Sequence, residues 1–324
     1  MSLSRDVVLL ITHSGDYFTV DKVAAALSRR GVQPFRLDTD QFPIAVQLAA
    51  RISSERLRHT LKYGGNSIDT EQVQAVWMRR LWQPQLSKLA PQFQAACARE
   101  SLAAFGGFLD NLRQARWVDD LQRIGEAENK LRQLRVAREV GLHIPRTLVT
   151  NNAQEAQEFF QEVEGKMVAK LLTPLSASME SSPFFLYTSA VKDEDLLEAE
   201  ALRYSPMVFQ EQILKQRELR VVFVAGHLFV GALDASRYSA TTMDWRRAAP
   251  QACSWEPDEL PDGVVRCLNS FMARFGLIFG AIDLIQTPDG EYVFLEVNPT
   301  GEWGMLERDL GYPISEAIAD TLLS

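Results

Sequence analysis

The sequence predicts an α/β fold with α+β lobes, in more than one domain. Three observations predict it. The chain opens β-α-β, with the apolar run "VVLLIT" (7–12), the amphipathic "TVDKVAAALSRRG" (19–31) and the strand-like "VQPFRLD". From residue 166 onward, strand patterns dominate. The chain then closes on a hairpin, "GAIDLIQ-TPDG-EYVFLEVN", and a helix, "PISEAIADTLL".

Each element has a local reason. Gly31 stops the first helix, and Gly64-Gly65 turns the chain between "LRHTLKY" and the strand "VQAVWMRR". These elements form a doubly wound N-terminal domain over 1–120. Residues 91–112 are rich in Ala, Gln and Leu and predict a helix, as does "AENKLRQLRVAREVG" (127–141) with Gly141 at its end. "IPRTLVT" reads as a strand and "NNAQEAQEFFQEV" as a helix capped by Asn152. "KMVAKLL" and "FFLYTS" are strands around the Ser/Pro-rich loop "TPLSASMESSP". "MVFQEQI" and "RELRVVFVAGHLFVGALDAS" supply further strands, with Gly226 in a hairpin turn, and a helix covers about 262–275. The expected division is 1–120, a central lobe 121–208 and a C-terminal lobe 209–324.

Composition narrows the function classes. With 324 residues, 46% hydrophobic, the chain can bury sizeable cores. The net charge of −8 disfavours a general nucleic-acid-binding surface. The three cysteines, Cys97, Cys253 and Cys267, are widely spaced, which fits neither a disulfide framework nor a zinc site and suits a reducing cytoplasm. No apolar run reaches membrane-spanning length, and the four histidines are scattered.

The closing hairpin carries the chemistry. In "VFLEVNPTGEW" (293–303), Glu296 and Asn298 stand two apart in an apolar run. Strict alternation sets them beside Phe294 on one strand face, with Val293, Leu295 and Val297 on the other. The TPDG turn puts Gln286 opposite Glu291 and Asp283 opposite Phe294, one diagonal step from Glu296. Asp283, Glu296 and Asn298 then form a cluster of hard oxygen donors. Two carboxylates so close repel unless a cation lies between them, and Mg²⁺ suits such a set. A polar sheet face turned to solvent is the competing reading.

Magnesium of this kind implies a nucleotide, yet there is no G-x-x-x-x-G-K-[ST] and no G-x-G-x-x-G after the first strand. Lys170, in the apolar "MVAKLL", is costly to bury without an anion; an edge-strand lysine is the equal alternative. Lys130 stands near the start of a helix, where a solvated charge is the plainer reading. In "VFQEQILKQRELR", Gln210, Glu211, Gln212 and Ile213 form a strand exit able to read an adenine edge. Glu218 can meet ribose hydroxyls and Arg220 a phosphate.

Together these residues resemble the ATP-grasp superfamily of carboxylate–amine ligases. The resemblance implies an ATP-grasp fold in which β-rich lobes clamp ATP. It gives Lys130 and Lys170 to phosphate, Gln210 to Ile213 to adenine and Glu218 to ribose. Arg220 falls to the reacting phosphate and carboxylate, and Asp283, Glu296 and Asn298 to magnesium, with two ions expected. "FRLDTDQFP", "VWMRRLWQPQL", "DWRRAAP" and "LEVNPTGEWGMLERDLGYPISEAIAD" are similar to the microviridin-type (graspetide) ligases. The "THSGDYFTVDKV" opening resembles the lactam-forming members.

That family resemblance implies macrocyclisation of a ribosomal precursor peptide, leader plus core. An acyl phosphate on a Glu or Asp side chain is attacked by a Lys amine, or by a Ser/Thr hydroxyl in the ester-forming alternative. Arg246 is a candidate for orienting the acceptor. Glu194 and Asp195, in the acidic "VKDEDLLEAEALRYSPM", are candidates for the leader's arginine, and a solvated helix start is the alternative. A cytoplasmic homodimer is expected, with neither nucleic acid nor membrane as partner. Two rivals remain: an ATP-grasp amino-acid or glutamate ligase with a small substrate, and a non-catalytic ATP-binding regulatory module. Arg79-Arg80 follows a strand and either faces a cleft or forms a surface pair, and Glu302 is left without a role.

Overall fold

A computed structural model describes residues 6–16, 18–55, 57–172, 188–237 and 254–324. In chain order the first elements are β1 Val7–Thr12, α1 Thr19–Arg29, β2 Gln33–Asp38, β3 Gln47–Ile52, β4 Leu57–Tyr63, β5 Asn66–Asp69, β6 Val73–Met78, α2 Pro91–Asp110, β7 Arg116–Val118 and α3 Leu121–Ala127. Next come α4 Lys130–Glu139, β8 Thr147–Thr150, α5 Ala153–Glu162, β9 Met167–Lys170, β10 Ser189–Ala190, β11 Met207–Glu211, β12 Arg217–Val224 and β13 His227–Asp234. The chain ends with β14 Glu256–Pro257, α6 Asp262–Phe275, β15 Phe279–Gln286, β16 Tyr292–Asn298, α7 Gly304–Leu310 and α8 Ile314–Leu323.

The chain divides into two compact units: 1–124 with 302–307 and 312–324, and 125–301 with 308–311. This differs from the expected single C-terminal lobe over 209–324. The reason is the last helix. Ile314, Ile318, Ala319 and Leu322 of α8 are buried in the first unit, and Arg30, just past the end of α1, meets Glu316 at 2.5 Å and Asp320 at 2.6 Å.

In the first unit, β2-β1-β6-β7 form a parallel sheet. β1 is buried at every position, as its uninterrupted apolar sequence requires of a strand covered on both faces. Val20, Val23, Ala26 and Leu27 of α1 are buried at helical spacing. β3 and β5, which the sequence pattern did not reveal, flank β4 in an antiparallel sheet, and Gly64 and Gly65 turn between β4 and β5 with φ of 56° and 80°.

The second unit contains two antiparallel-paired sheets, β10-β9-β11-β8 and β14-β13-β12-β15-β16. The helix expected over 127–141 is divided, because Asn129 caps α4 by accepting from Arg132 N at 3.0 Å. Asn152 caps α5 through Gln154 N. One core joins Phe271, Met272 and Phe275 of α6 to Val221, Phe223, Ile282, Leu284, Phe294 and Val297 of the five-stranded sheet. A smaller core under α5 joins Phe159 and Phe160 to Met167 and Phe209.

Candidate functional site

The hairpin register differs from the expected one, and a β-bulge is the cause. Gln286 faces Tyr292, Ile285 faces Val293 and Leu284 faces Phe294. The register then shifts between Asp283 and Leu284, so that Asp283 lies directly opposite Glu296 and Ala281 opposite Asn298. Leu295 is the extra residue. An inserted residue resets the two-residue alternation. Phe294 and Val297 therefore both enter the core, while Glu296 and Asn298 share the other face. The predicted grouping of the two polar residues with Phe294 is thus corrected. The predicted meeting of Asp283 with Glu296 becomes a direct cross-strand pair.

Cations from three elements converge on these carboxylates. Lys130, the first residue of α4, donates to Glu296 Oε2 at 2.7 Å. Arg220, on β12 opposite Asp283, lies 3.1 Å from Asp283 Oδ1. Its Nε–H is not aligned for a hydrogen bond, so the contact is an ion pair. Asn298 Nδ2 donates to Glu296 Oε1 at 3.3 Å, which leaves the amide oxygen as the atom able to meet a cation. Burial pushes the Glu296 carboxyl up, but Lys130 and then Lys170 outweigh it, with hydrogen bonds from Lys130 and Asn298, and hold it down at about 2. Among the described residues no three His, Cys, Asp or Glu gather in a metal-sized cluster. The donor set here is two carboxylates and a carboxamide, which fits a hard divalent cation that retains water and phosphate ligands.

Beside this cluster lies a cavity of about 620 Å³ between the two sheets of the second unit. Lys170, Gln210, Glu211, Gln212, Ile213 and Glu218 all line it, so the adenine and ribose candidates share one pocket with one of the phosphate candidates, while Lys130 and Arg220 stand at the carboxylates and not in its lining. Ile285 and Leu295 add apolar wall. Two side chains in the strand exit are engaged internally. Gln210 Nε2 donates to Thr147 Oγ1 at 3.0 Å, and Glu211 accepts from Arg146 N at 2.8 Å and Arg146 Nε at 2.6 Å. Glu218 pairs with Lys215. Arg146 and Lys215 thus hold two of the carboxylates that line the pocket.

Glu194 and Asp195 are exposed and do not line this cavity; Asp195 Oδ2 accepts from Lys192 N at 2.8 Å. Arg246 and the loop "TPLSASMESSP" lie outside the described residues. Glu302 belongs to the first unit. It accepts from Gly304 N at 2.9 Å at the start of α7 and pairs with Arg79 at 2.5 Å.

Two contributors carried no sequence signal of their own. Gln133 is 2% exposed; its Oε1 accepts from Val297 N at 2.9 Å and its Nε2 donates to Val297 O at 2.9 Å. Its spacing of three from Lys130 on one helix face was the available hint. Gly301 packs so closely that a Cβ there would stand 2.4 Å from Ala281 Cβ and 3.0 Å from Asn298 Cβ.

Comparison with known proteins identifies the fold and the family. The family model for the MvdD pre-ATP grasp domain matches residues 7–125. The chain is similar to the macrocyclase MdnB from Microcystis aeruginosa MRC, at 57% identity and TM-score 0.84, over 98% of this chain and 99% of that one. It is similar to MdnC of the same organism, solved with the precursor peptide MdnA, at 33% identity and TM-score 0.87, again over 98% and 99%. A RiPP-associated ATP-grasp ligase of Chryseobacterium gregarium, solved with ADP and a leader and core peptide, shares 29% identity at TM-score 0.89, over 98% and 96%. Fold and pocket thus define an ATP-grasp ligase. Within that class, the chain belongs to the microviridin-type peptide macrocyclases.

Proposed function

We propose that this macrocyclase joins Glu or Asp side chains of a ribosomal precursor peptide to a Lys amine, forming lactams. The observation that carries the ligase chemistry is the convergence of Lys130, Lys170 and Arg220 on the Asp283–Glu296 pair beside the cavity. The lactam assignment is supported by the resemblance of the N-terminal segment to lactam-forming members. The neighbours solved with a precursor peptide, or with a leader and core, support a peptide substrate.

In this reading the cavity takes ATP, with Gln210 to Ile213 at adenine and Glu218 at ribose. Asp283, Glu296 and Asn298 would hold Mg²⁺, two ions in the full reading, and bound metal would neutralise charge on the transferring phosphoryl group. Lys130, Lys170 and Arg220 stabilise the charge that develops as the γ-phosphoryl moves to the peptide carboxylate. The amine nitrogen then attacks the acyl carbon of the acyl phosphate, the C–O bond to phosphate breaks, and the amine loses a proton. Arg246 orients the acceptor, and Glu194 and Asp195 receive the leader. The clamp is formed by the lobes expected over 121–208 and 209–324, as far as they lie in the second unit, and the enzyme acts as a cytoplasmic homodimer. Among the described residues no helix is long and apolar enough to cross a membrane.

The test is direct. The protein is mixed with ATP, Mg²⁺ and a microviridin-type precursor, and loss of one water mass per ring is followed. Rings that resist mild alkali, and that vanish when the core Lys is changed to Arg, support lactams. Rings that open in alkali and survive that change make the enzyme an ester former. Phosphate release with free amino acids and none with peptide would favour the small-substrate ligase.

A further inference from the structure

The parallel sheet of the first unit has a topological switch point. Its order β2-β1-β6-β7 means the chain leaves β1 toward one side and later returns to the other. The loops after β1 and β6 therefore diverge at the carboxyl ends of adjacent strands, the position where open α/β sheets bind ligands. The described residues of those loops are 13–16, 18 and 79–90.

Both loops are braced. Asp40 accepts from Ser14 N at 2.8 Å and Ser14 Oγ at 2.6 Å, and Arg36 Nη2 donates to the carbonyls of His13 and Asp16. On the other loop, Trp82 N donates to Thr39 Oγ1 and Gln85 N to Asp40 O. His13 and Trp82 bridge the two loops with ring centroids 4.6 Å apart. The backbone N–H groups of Arg79 and Arg80 both donate to Ile11 O, at 3.0 and 3.1 Å.

The two arginines differ in their partners. Arg79 is 2% exposed and fully engaged: Asp16 lies 3.5 Å away, Glu302 2.5 Å, and Thr19 Oγ1 accepts at 3.1 Å. Arg80 is half-buried, and among the described residues its guanidinium has no ion-pair or hydrogen-bond partner. The carboxylates that act on it, Asp16 and Glu302, are the two that Arg79 holds. Burial and then Arg79 depress the Arg80 pKa, as expected for a cation lacking a counter-ion of its own. A desolvated guanidinium in this position calls for an anion.

The chemistry favours a carboxylate over a phosphate. A phosphate site at a strand–helix turn uses free backbone N–H groups. Here Ser14 N is bound by Asp40, Gly15 N by His13 Nδ1 and Asp16 N by His13 O. Asp16 also stands before α1, where its charge opposes a dianion. What remains is one planar guanidinium whose charge reaches His13 of the first loop, which matches a monoanionic carboxylate.

We propose that the crevice between the β1 and β6 loops is a subsite for an acidic side chain of the peptide substrate, with Arg80 as its recognising cation. The proposal rests on the peptide-ligase reading above. Its test measures binding, by fluorescence anisotropy with ATP absent, of three labelled probes: a microviridin-type precursor, the same precursor with its core Glu and Asp changed to Gln and Asn, and its leader alone. Wild type is expected to bind the acidic core about 10-fold more tightly than the amide core, as one charge-assisted pair would give. Arg80→Gln binds both core versions at the weaker level and binds the leader as wild type does, while Arg80→Lys recovers part of the difference.

Equal binding of the two cores by wild type, or persisting discrimination in Arg80→Gln with native circular dichroism, overturns the proposal. A tenfold loss of ATP-analogue affinity in Arg80→Gln also overturns it, because the anion is then the nucleotide's phosphate. If wild type binds neither leader nor precursor, the peptide-ligase reading itself fails and the subsite falls with it. A poorly folded Arg80→Gln is replaced by Arg80→Met, for which the same outcomes apply.

Discussion

Gln133 grips Val297 by both of its backbone polar groups, with Oε1 accepting from the N–H and Nε2 donating to the carbonyl, each at 2.9 Å. Val297 lies between Glu296 and Asn298, so one buried carboxamide fixes the backbone from which both polar side chains project. Lys130 sits three positions earlier on the same helix and reaches Glu296 itself. α4 therefore sets the strand and supplies the cation together.

Replacing Gln133 with Met keeps the volume and deletes both hydrogen bonds to Val297 together with a third, from Nε2 to Ala127 O at 2.6 Å. It leaves the Val297 N–H and two carbonyls without this partner, at a cost of about 2–4 kcal/mol. Denaturant unfolding should show that loss with an unchanged m-value, and kcat should fall because Glu296 and Asn298 shift. Stability within about 0.5 kcal/mol of wild type would show that the grip has no energetic weight.

Glu296→Gln tests the carboxylate cluster. The change keeps the shape, removes the charge that Lys130 and Lys170 share, and takes one oxygen anion from the Asp283 pair. ATP-dependent phosphate release on a precursor peptide should drop by about 10² or more, while far-UV circular dichroism stays native. Activity near the wild-type rate would remove Glu296 from the catalytic cluster.

Acid stability of the first unit should depend on Asp16. Burial pushes this carboxyl up, but Arg79 and the hydroxyls of Thr12 and Thr19 outweigh burial and hold it below its usual 3.8. A folded pKa below the unfolded one gives stability that is complete above about 3.8 and is lost as pH falls through the lower folded value. Wild type should therefore lose more unfolding free energy than Asp16→Asn between pH 5 and pH 2, values chosen to bracket the usual Asp range. Parallel curves for the two proteins would contradict this.

Much of the site was legible because its residues are chemically out of place where they stand. A lysine in "MVAKLL" and an acid and an amide in "VFLEVN" break apolar patterns, and the structure draws all of them to one region of the second unit. What stayed hidden has no such signature. The bulge at Leu295 inserts one ordinary apolar residue, so strict alternation misassigned Phe294. Gln133 looks like any polar helix residue until its tertiary partner is known. β3, almost wholly exposed, lacks the half-buried alternation that marks a strand. The return of α8 to the first unit depends on pairs such as Arg30–Glu316, distant in sequence.

Gly301 closes the turn after the Glu296–Asn298 strand, and the space around it allows nothing larger. An added Cβ would lie 2.4 Å from Ala281 Cβ and 3.0 Å from both Asn298 Cβ and Asn298 O. Ala281 pairs with Asn298 across the hairpin, so any relief must move one of them. Gly301→Ala should cost about 1–3 kcal/mol by overpacking. Because the strain falls on Asn298, its larger effect should be on turnover, with kcat reduced more than binding of an ATP analogue measured without metal. A control at Gly263, where an added Cβ meets nothing within 4 Å, should leave both unchanged. Equal, small effects from Gly301→Ala and Gly263→Ala would mean that the turn yields without disturbing Asn298.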